Sequence, residues 1–300
     1  MRHSTSIIPQ FFVTAEQECP YLENQKERKL FTPISKKNGD LINNTLSKQG
    51  FRRSQNVLYR PACTHCVACL SARISTKKFI ISRSQKRLLK SNKYIFRECN
   101  QPKASMEQFN LFTKYIDTRH KEGGMSGMDY SEYKSMIEET YVNTRLMHYR
   151  NKKGELLGIC LTDILDDGLS MVYSFYNSTA KYKSLGTYMI LDHIKFAQET
   201  KQDYVYLGYW VKGSLKMDYK ASFSETEVFT KNNWVPLKNI RNRYNLTSSI
   251  IYGPAQMRER SFAERQGPRE TTEDRFAGVA PVDSYQNYYK PSISNLPEEE

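Results

Sequence analysis

Long apolar runs are absent from this 300-residue sequence. A membrane span takes about eighteen consecutive apolar residues, and even the most apolar stretch, residues 156–165, is interrupted by polar positions. Near the amino terminus, residues 7–13 form a short apolar run, and no small-residue cleavage pattern of a secretory signal follows it. We therefore expect a cytoplasmic protein with no membrane partner.

Acidic residues are also in short supply. The chain has 32 of them against 45 lysines and arginines, which gives a net charge of +13. An excess of this size attracts polyanions, of which nucleic acid is the commonest. The alternative is a basic surface that serves solubility alone.

Composition divides the chain into three segments. Residues 1–98 are rich in cysteine, turns and positive charge, so we expect a small Cys-rich, basic N-terminal domain. Residues 99–240 are predicted to form a regular α/β domain. Residues 241–300 form a C-terminal extension, and from residue 258 onward it holds four of the 11 prolines, nine acidic residues and few aliphatic ones. We expect that tail to be largely disordered, because it can bury too little apolar surface to offset the entropy of ordering.

The six cysteines do not suggest a disulfide framework, which is disfavoured in a cytoplasmic protein of this length. Cys63, Cys66 and Cys69 instead follow a C-x-x-C-x-x-C spacing, which lets one tight loop aim several thiolates at one ion. Cys19 or His65 is a candidate fourth ligand of a zinc ion or iron–sulfur cluster. The alternative is a turn packed by apolar cysteines.

A basic segment closes the first domain. Residues 77–97 contain eight lysines and arginines and no acid. A helix capped by Ser82 or Ser84 would turn Leu88 and Leu89 toward a core and present a basic face. That face comprises Arg83, Lys86, Arg87 and Lys90. Such a stripe suits the phosphates of a nucleic acid, although a solvated surface helix has the same pattern.

Apolar periodicity predicts the regular elements. The predicted helices cover residues 106–121, 131–141 and 188–200. The predicted strands cover residues 51–59, 72–76, 144–149, 156–163, 169–176 and 204–207. Three consecutive strands favour an antiparallel meander, so we predict an α+β fold with a mixed, mainly antiparallel sheet.

This order of elements resembles the acyltransferase fold called GNAT. Acetyl-CoA users of that fold hold a pyrophosphate with backbone amides at the start of a helix, in a glycine-containing cradle. In the matching stretch, residues 183–188, only Gly186 fits, and Tyr188 stands where a small residue is needed. The departure favours an anionic donor other than coenzyme A.

Several longer runs carry a closer resemblance. They read GFRRSQNVLYRPAC (50–63), YSFY (173–176), SLGTY (184–188), YVYLGYW (204–210), SLKMDYK (214–220) and CPYL (19–22). In this order they resemble the bacterial branch of the arginyl-tRNA–protein transferase family, the aspartate/glutamate leucyltransferases. The resemblance covers about residues 9–237 and does not include the acidic tail.

The resemblance implies an aminoacyltransferase. Leucine, or in relatives arginine, would pass from leucyl-tRNA or arginyl-tRNA to a protein whose first residue is Asp or Glu, and so mark that protein for N-degron degradation. The reaction is aminolysis of an ester by a terminal amine with a pKa of about 8, so no cofactor is required for the transfer. The sequence nominates no catalytic residue, and His120, His148 and His193 are expected to be structural or exposed.

Binding residues follow from the same implication. The acidic side chain of the acceptor must meet a cation, for which the candidates are Arg52, Arg53, Lys216 and Lys220, the last two on one face if that stretch is helical. The candidates for contact with aminoacyl-tRNA are the basic helix face, Tyr176, Gly186, Tyr209 and Tyr219. Tyrosines can donate hydrogen bonds or stack on the terminal adenosine, and core packing is their alternative role.

The resemblance also bears on the cysteines. In the eukaryotic branch an N-terminal cysteine group that begins with C-x-x-C binds zinc or an iron–sulfur cluster. Here Leu22 replaces the second cysteine of that pair, and Cys69 is its candidate substitute. The implied ligand set is Cys19, Cys63, Cys66 and Cys69.

Two other functions share these features. A coenzyme A-dependent GNAT acetyltransferase would use the same fold. A noncatalytic nucleic-acid-binding module would bind tRNA whether or not it were charged, and would transfer nothing.

Overall fold

The computed structural model describes residues 9–121, 123–179, 182, 184–240 and 280–281. Its α-helices are α1 (Gly39–Lys48), α2 (Arg83–Ser91), α3 (Met106–Arg119), α4 (Tyr130–Glu138) and α5 (Leu185–Glu199). The first strands are β1 (Phe12–Val13), β2 (Gln17–Glu18), β3 (Lys26–Glu27), β4 (Lys29–Pro33), β5 (Arg52–Ser54), β6 (Val57–Pro61), β7 (Cys69–Ser75) and β8 (Ile95–Asn100). The later strands are β9 (Thr144–Asn151), β10 (Leu156–Ile164), β11 (Gly168–Tyr176), β12 (Tyr204–Val211), β13 (Thr226–Thr230), β14 (Asn233–Pro236) and β15 (Ala280–Pro281).

An eight-stranded sheet forms the centre of the molecule, in the order β14-β13-β7-β12-β11-β10-β9-β8. Strands β11 and β12 run parallel, and the other neighbouring pairs of this sheet run antiparallel. The predicted α+β class with a mixed, mainly antiparallel sheet is therefore confirmed.

Helices cover both faces of this sheet. Side chains alternate along a strand, so Met147 and Tyr149 of β9 pack into the core beneath α5, whereas Leu146 packs into the core beneath α3 and α4. Each fully buried side chain of this size contributes roughly 1.5–3 kcal/mol to stability. The two cores pack against opposite faces of the middle of the sheet.

Local sequence sets where the helices begin. Ser82, Ser105 and Asp129 each accept a hydrogen bond from the backbone N–H three residues later, in a complete capping box. Helix α5 is different, because Ser184 before it is left-handed (φ 55°) and makes no side-chain capping bond.

A smaller sheet, in the order β15-β1-β4-β6-β5, packs with α1 beside the large one. Strand β7 belongs to residues 1–98 yet lies between β12 and β13, so the hydrogen-bonded sheet crosses the predicted boundary at residue 98, which stays a prediction. Of the predicted C-terminal extension, the structure describes only the two residues of β15. The rest of that extension, with the tail predicted to be disordered, lies outside the described residues.

The predicted helices and the later strands lie close to the observed ones. The single strand predicted over residues 51–59 is wrong. It is a hairpin of β5 and β6, because Gln55 adopts a left-handed φ of 47° and reverses the chain. The reversal lets Arg52 and Arg53 of β5 contact the large sheet.

Candidate active site

The parallel strands β11 and β12 separate along their length. They pair only over residues 168–170 and 204–206, although β11 continues to Tyr176 and β12 to Val211. Their carboxyl halves therefore diverge and leave an opening in the sheet. Gly208, with a φ of +82°, lies on the β12 side of it.

Arg52 of β5 occupies the base of this opening. Its guanidinium donates hydrogen bonds to the Ser170 hydroxyl at 3.1 Å and to the Met171 carbonyl oxygen, both on β11. On the opposite side of the opening, a Cβ placed on Gly208 of β12 would lie 3.6 Å from the Nε atom of Arg52. The small sheet thus contributes a cation to a gap in the large sheet.

Lys220 brings a second buried basic group close to Arg52. The residue lies in a 3₁₀ turn, Asp218–Ser222, and its Nζ donates to the Tyr209 carbonyl oxygen. Burial, followed by the charge of Arg52, lowers the pKa of Lys220 to about 7. Arg52 and Lys220 are only 6% and 4% exposed, and neither forms an ion pair with a described residue. Because burial makes a charged group costly, Lys220 gives up its proton more readily than an exposed lysine does, and an anionic ligand bound beside Arg52 would favour its charged form.

Aromatic side chains line the mouth of the opening. The Tyr176 ring lies 5.0 Å from that of Tyr115, and a Cβ placed on Gly186 would be 3.0 Å from Tyr176 Cε1. Gly186 therefore allows the first turn of α5 to approach that ring. Tyr219 is 47% exposed and lies close enough to Tyr176 for their hydroxyl groups to interact electrostatically. The opening thus gathers Arg52, Lys220, Tyr176, Gly186 and Tyr219 of the predicted set.

Two family models match most of the chain. The N-terminal model of arginine-tRNA-protein transferase matches residues 17–87, and the C-terminal model matches residues 107–230. The chain belongs to the arginine-tRNA-protein transferase family. It is accordingly an enzyme whose donor is an aminoacyl-tRNA.

Curated relatives are similar over most of their length. An aspartate/glutamate leucyltransferase of Dinoroseobacter shibae is 54% identical over 79% of this chain and 87% of its own. One of Jannaschia sp. is 56% identical over 78% of this chain and 82% of its own. Among solved structures, L-PGS from Bacillus licheniformis has a TM-score of 0.41 and 13% identity, covering 58% of this chain and 63% of that one. No helix in the described part of this transferase is long and apolar enough to cross a membrane.

Arg53, beside Arg52 in sequence, does not belong to the opening. Its guanidinium makes two hydrogen bonds to the Asp163 carboxylate, at 2.6 and 2.7 Å, and both side chains are 1% exposed. A third bond goes to the Gln55 carbonyl oxygen at 2.8 Å. The expectation that Arg53 binds an acceptor carboxylate is therefore corrected, because a carboxylate of this transferase already neutralises it.

Lys216 and Tyr209 also differ from expectation. Helical structure begins at Asp218, so Lys216 and Lys220 do not share a helix face, and Lys216 is exposed. Partial burial, followed by the charge of Lys216, lowers the pKa of His120, so Lys216 lies near His120. The His120 ring packs on Tyr115. Lys216 is therefore at the outer rim of the opening. Tyr209 is buried, and its hydroxyl donates to the Tyr59 carbonyl oxygen at 2.9 Å. It is a core residue and not a free stacking platform.

The four predicted cysteine ligands meet at one small pocket. Cys19, Cys63, Cys66 and Cys69 all line a pocket of about 90 Å³, whereas His65 does not. Burial, followed by the neighbouring Cys19, Cys63 and Cys66, raises the pKa of Cys69 to about 12. Four thiols suit zinc or an iron–sulfur cluster. In the described residues, however, no three potential ligands are arranged closely enough to hold an ion.

Helix α2 has the predicted basic face. Ser82 caps it, and Leu88 and Leu89 pack into the core beside α5. None of the four basic side chains forms an ion pair with a described residue, so their charge faces the surroundings unpaired. The four are Arg83, Lys86, Arg87 and Lys90.

Some residues of the opening had no signal in the sequence. Tyr115 is part of the apolar repeat of α3, and Ser170 is an ordinary polar position of a strand. Cys160 is fully buried, and its pKa is raised to about 12 by burial although Arg52 lies nearby. The pairing of β10, β11 and β12, with α3 packed on that part of the sheet, brings these residues together.

Proposed function

We propose that this transferase conjugates leucine from leucyl-tRNA to the N-terminus of proteins that begin with Asp or Glu, and so marks them for N-degron degradation. The observation that carries the proposal is the buried pair of Arg52 and Lys220, neither of which has a carboxylate partner among the described residues. The name of the relatives, aspartate/glutamate leucyltransferase, supports both the donor and the acceptor.

The pair supplies what an acidic acceptor needs. A carboxylate placed between two cations in a partly dry site gains more Coulombic energy than it would in water, because the effective dielectric constant is lower. A neutral side chain in the same place would leave both cations unpaired. The arrangement therefore supports recognition of Asp or Glu by charge.

The reaction itself exchanges an ester for an amide. The neutral α-amine of the acceptor attacks the carbonyl carbon of the aminoacyl ester, the C–N bond forms and the C–O bond to the ribose breaks. The ribose oxygen leaves with a proton, and the amine nitrogen gives one up. No redox partner is needed, and because aminoacyl-tRNA is a cytoplasmic donor, we expect the reaction in the cytoplasm.

The opening supports a GNAT-like route for the donor. The order of elements and the divergence of β11 from β12 leave room for a single-stranded 3′ end beside Tyr176 and the first turn of α5. The Tyr188 ring lies in the core, where its hydroxyl donates to the Ile95 carbonyl oxygen at 3.1 Å. This arrangement anchors the start of α5 to β8.

Mass spectrometry of peptide products tests the proposal. The protein is incubated with leucyl-tRNA or arginyl-tRNA and a peptide that begins with Asp, Glu, Asn or Ala. A leucine-sized gain on the Asp and Glu peptides alone is expected, and the Asn peptide is the isosteric control. An arginine-sized gain would reassign the donor, and acetylation from acetyl-CoA without either aminoacyl-tRNA would overturn the proposal.

Gly186→Ala should reduce transfer without weakening the fold. The added Cβ would press on the Tyr176 ring at 3.0 Å, whereas alanine inside a helix is roughly 0.5–1 kcal/mol better than glycine. We expect an approximately tenfold loss of kcat/KM, about 1.4 kcal/mol, with the free energy of unfolding little changed. Gly124→Ala is the control, because a Cβ there meets no atom of the described residues within 4 Å. Equal kinetics for the two variants would remove Tyr176 from the donor path.

Neutralising the basic face of α2 should weaken tRNA binding in a salt-dependent way. Each phosphate contact contributes about −0.9 to the slope of log K against log salt for a duplex. Replacing Arg83, Lys86, Arg87 and Lys90 by glutamine should therefore make that slope less negative by about two to four units. Fluorescence titration with tRNA from about 50 to 300 mM salt, roughly the range over which such contacts are lost, measures it. An unchanged slope would exclude α2 from the interface.

We also propose that the four cysteines, which line one pocket but are not close enough together to hold an ion as described, draw together around zinc or an iron–sulfur cluster and so cross-link the loops around Cys19 and Cys66. Elemental analysis after anaerobic purification should find bound metal that Cys66→Ser loses. Cys99→Ser should retain it, because Cys99 is exposed on edge strand β8 and does not line the pocket. The same metal content in both variants would favour cysteines that only pack a turn.

A further inference from the structure

Tyr94 is an exposed aromatic residue in a basic setting. It is 49% exposed and lies between the end of α2 and the start of β8. The Lys93 Nζ lies 4.7 Å from the centre of its ring, and the Lys152 Nζ lies 4.2 Å from it. The register explains the second contact, since Ile95 pairs with Asn151 and so sets Tyr94 beside Lys152.

The acidic residues around neighbouring Arg150 and Asn151 already have partners. Arg150 pairs with Glu107 at 2.6 Å and with Glu98 at 3.8 Å. Glu155 accepts a hydrogen bond from the Asn151 side chain. Lys93 and Lys152 form no ion pair with a described residue, so their charge is available to an incoming anion.

The chain around Tyr94 is joined to two parts of the proposed donor path. On one side the chain runs directly from the basic face of α2 through Lys93. On the other side, Tyr188 in the first turns of α5 donates a hydrogen bond to the carbonyl oxygen of Ile95, the residue after Tyr94. The first turn of α5 contains Gly186, at the mouth of the opening.

We infer that Tyr94, with Lys93 and Lys152, is a stacking platform for an unpaired nucleotide at the 3′ end of tRNA. The inference rests on the proposed function, in which α2 follows a duplex and the opening receives the strand that leaves it. A base stacked on tyrosine is held more strongly than one exposed ammonium over the same ring. Base binding would therefore release the two lysines from the ring to the flanking phosphates.

Binding of uncharged tRNA tests the inference without any transfer step. Two tRNAs are compared at one salt concentration: the complete molecule, and one trimmed of its unpaired 3′ nucleotides. Tyr94→Ala should weaken binding of the complete tRNA about tenfold and leave the trimmed tRNA unchanged. Tyr94→Phe keeps a stacking ring and should bind both like the wild type.

The other outcomes separate the two hypotheses. Equal losses for both tRNAs, or no loss for either, would overturn the stacking platform. A thermal midpoint equal to that of the wild type would show that the alanine variant is folded. If the 3′ end contributes through Tyr94 but no leucine reaches an Asp peptide, the proposed function fails while the platform stands.

Discussion

Lys220→Met should lower kcat/KM for a peptide that begins with Asp by about 100-fold, which corresponds to about 2.7 kcal/mol. The methionine removes a buried charge from beside Arg52 while keeping an apolar side chain of similar length. Truncating one member of a buried charge contact typically costs about 2–5 kcal/mol. Steady-state kinetics with Asp and Asn peptides measure the loss, and the Asp peptide should lose its advantage.

The same variant should be at least as stable as the wild type. The pKa of Lys220 is lowered to about 7 by burial, whereas an unfolded lysine has a pKa of about 10.4. Between these values the unfolded chain binds more protons, so the free energy of unfolding should rise with pH in that window. Lys220→Met should abolish this rise, as urea unfolding at several pH values would show.

Lys216→Met is the matched control for both measurements, because its ammonium is exposed. It should change the Asp preference and the stability little. If Lys216→Met removes the preference and Lys220→Met does not, the acceptor carboxylate binds at the rim and not beside Arg52.

Asp163→Ala should destabilise the protein by about 3–5 kcal/mol, because it leaves the guanidinium of Arg53 buried without its carboxylate. This ion pair joins β5 of the small sheet to β10 of the large one. Urea unfolding measures the loss. Asp166→Ala is the control, since its pair with Lys48 is about half exposed and such pairs contribute about 0–1 kcal/mol.

A double substitution distinguishes burial of charge from loss of packing. Arg53→Met combined with Asp163→Leu should recover most of the stability lost in Asp163→Ala, because both charges are then removed. If the double variant is less stable than Asp163→Ala, the packing of these side chains matters more than their charge.

Arg52 and Arg53 show which part of the site can be predicted from the sequence and which part cannot. The run that contains them predicts a strand and a role for a cation, but neighbours on a strand point to opposite faces. Which face meets the opening depends on the register of β5 with β6 and on the packing of two sheets. Arg52 meets Ser170, which is 118 residues away in the chain, and Arg53 meets Asp163, which is 110 residues away.

Lys220 shows that helical spacing alone does not predict which lysine is buried. Its spacing from Lys216 is helical, yet the chain forms only a 3₁₀ turn from Asp218. Burial against β12, and not local periodicity, selects one lysine and leaves the other in solvent. By contrast, α2 was predictable because Ser82, Gln85 and the two leucines specify its start and its orientation locally.

The position of β7 has a consequence for the whole chain. A cut between β8 and α3 would give one fragment that carries β7 and β8 without their partners, and another with a gap between β12 and β13. Each fragment holds the strand or the slot that the other lacks. Neither fragment can complete the sheet by itself. We expect the two to associate when mixed, with β7 inserting between β12 and β13 and β8 pairing with β9.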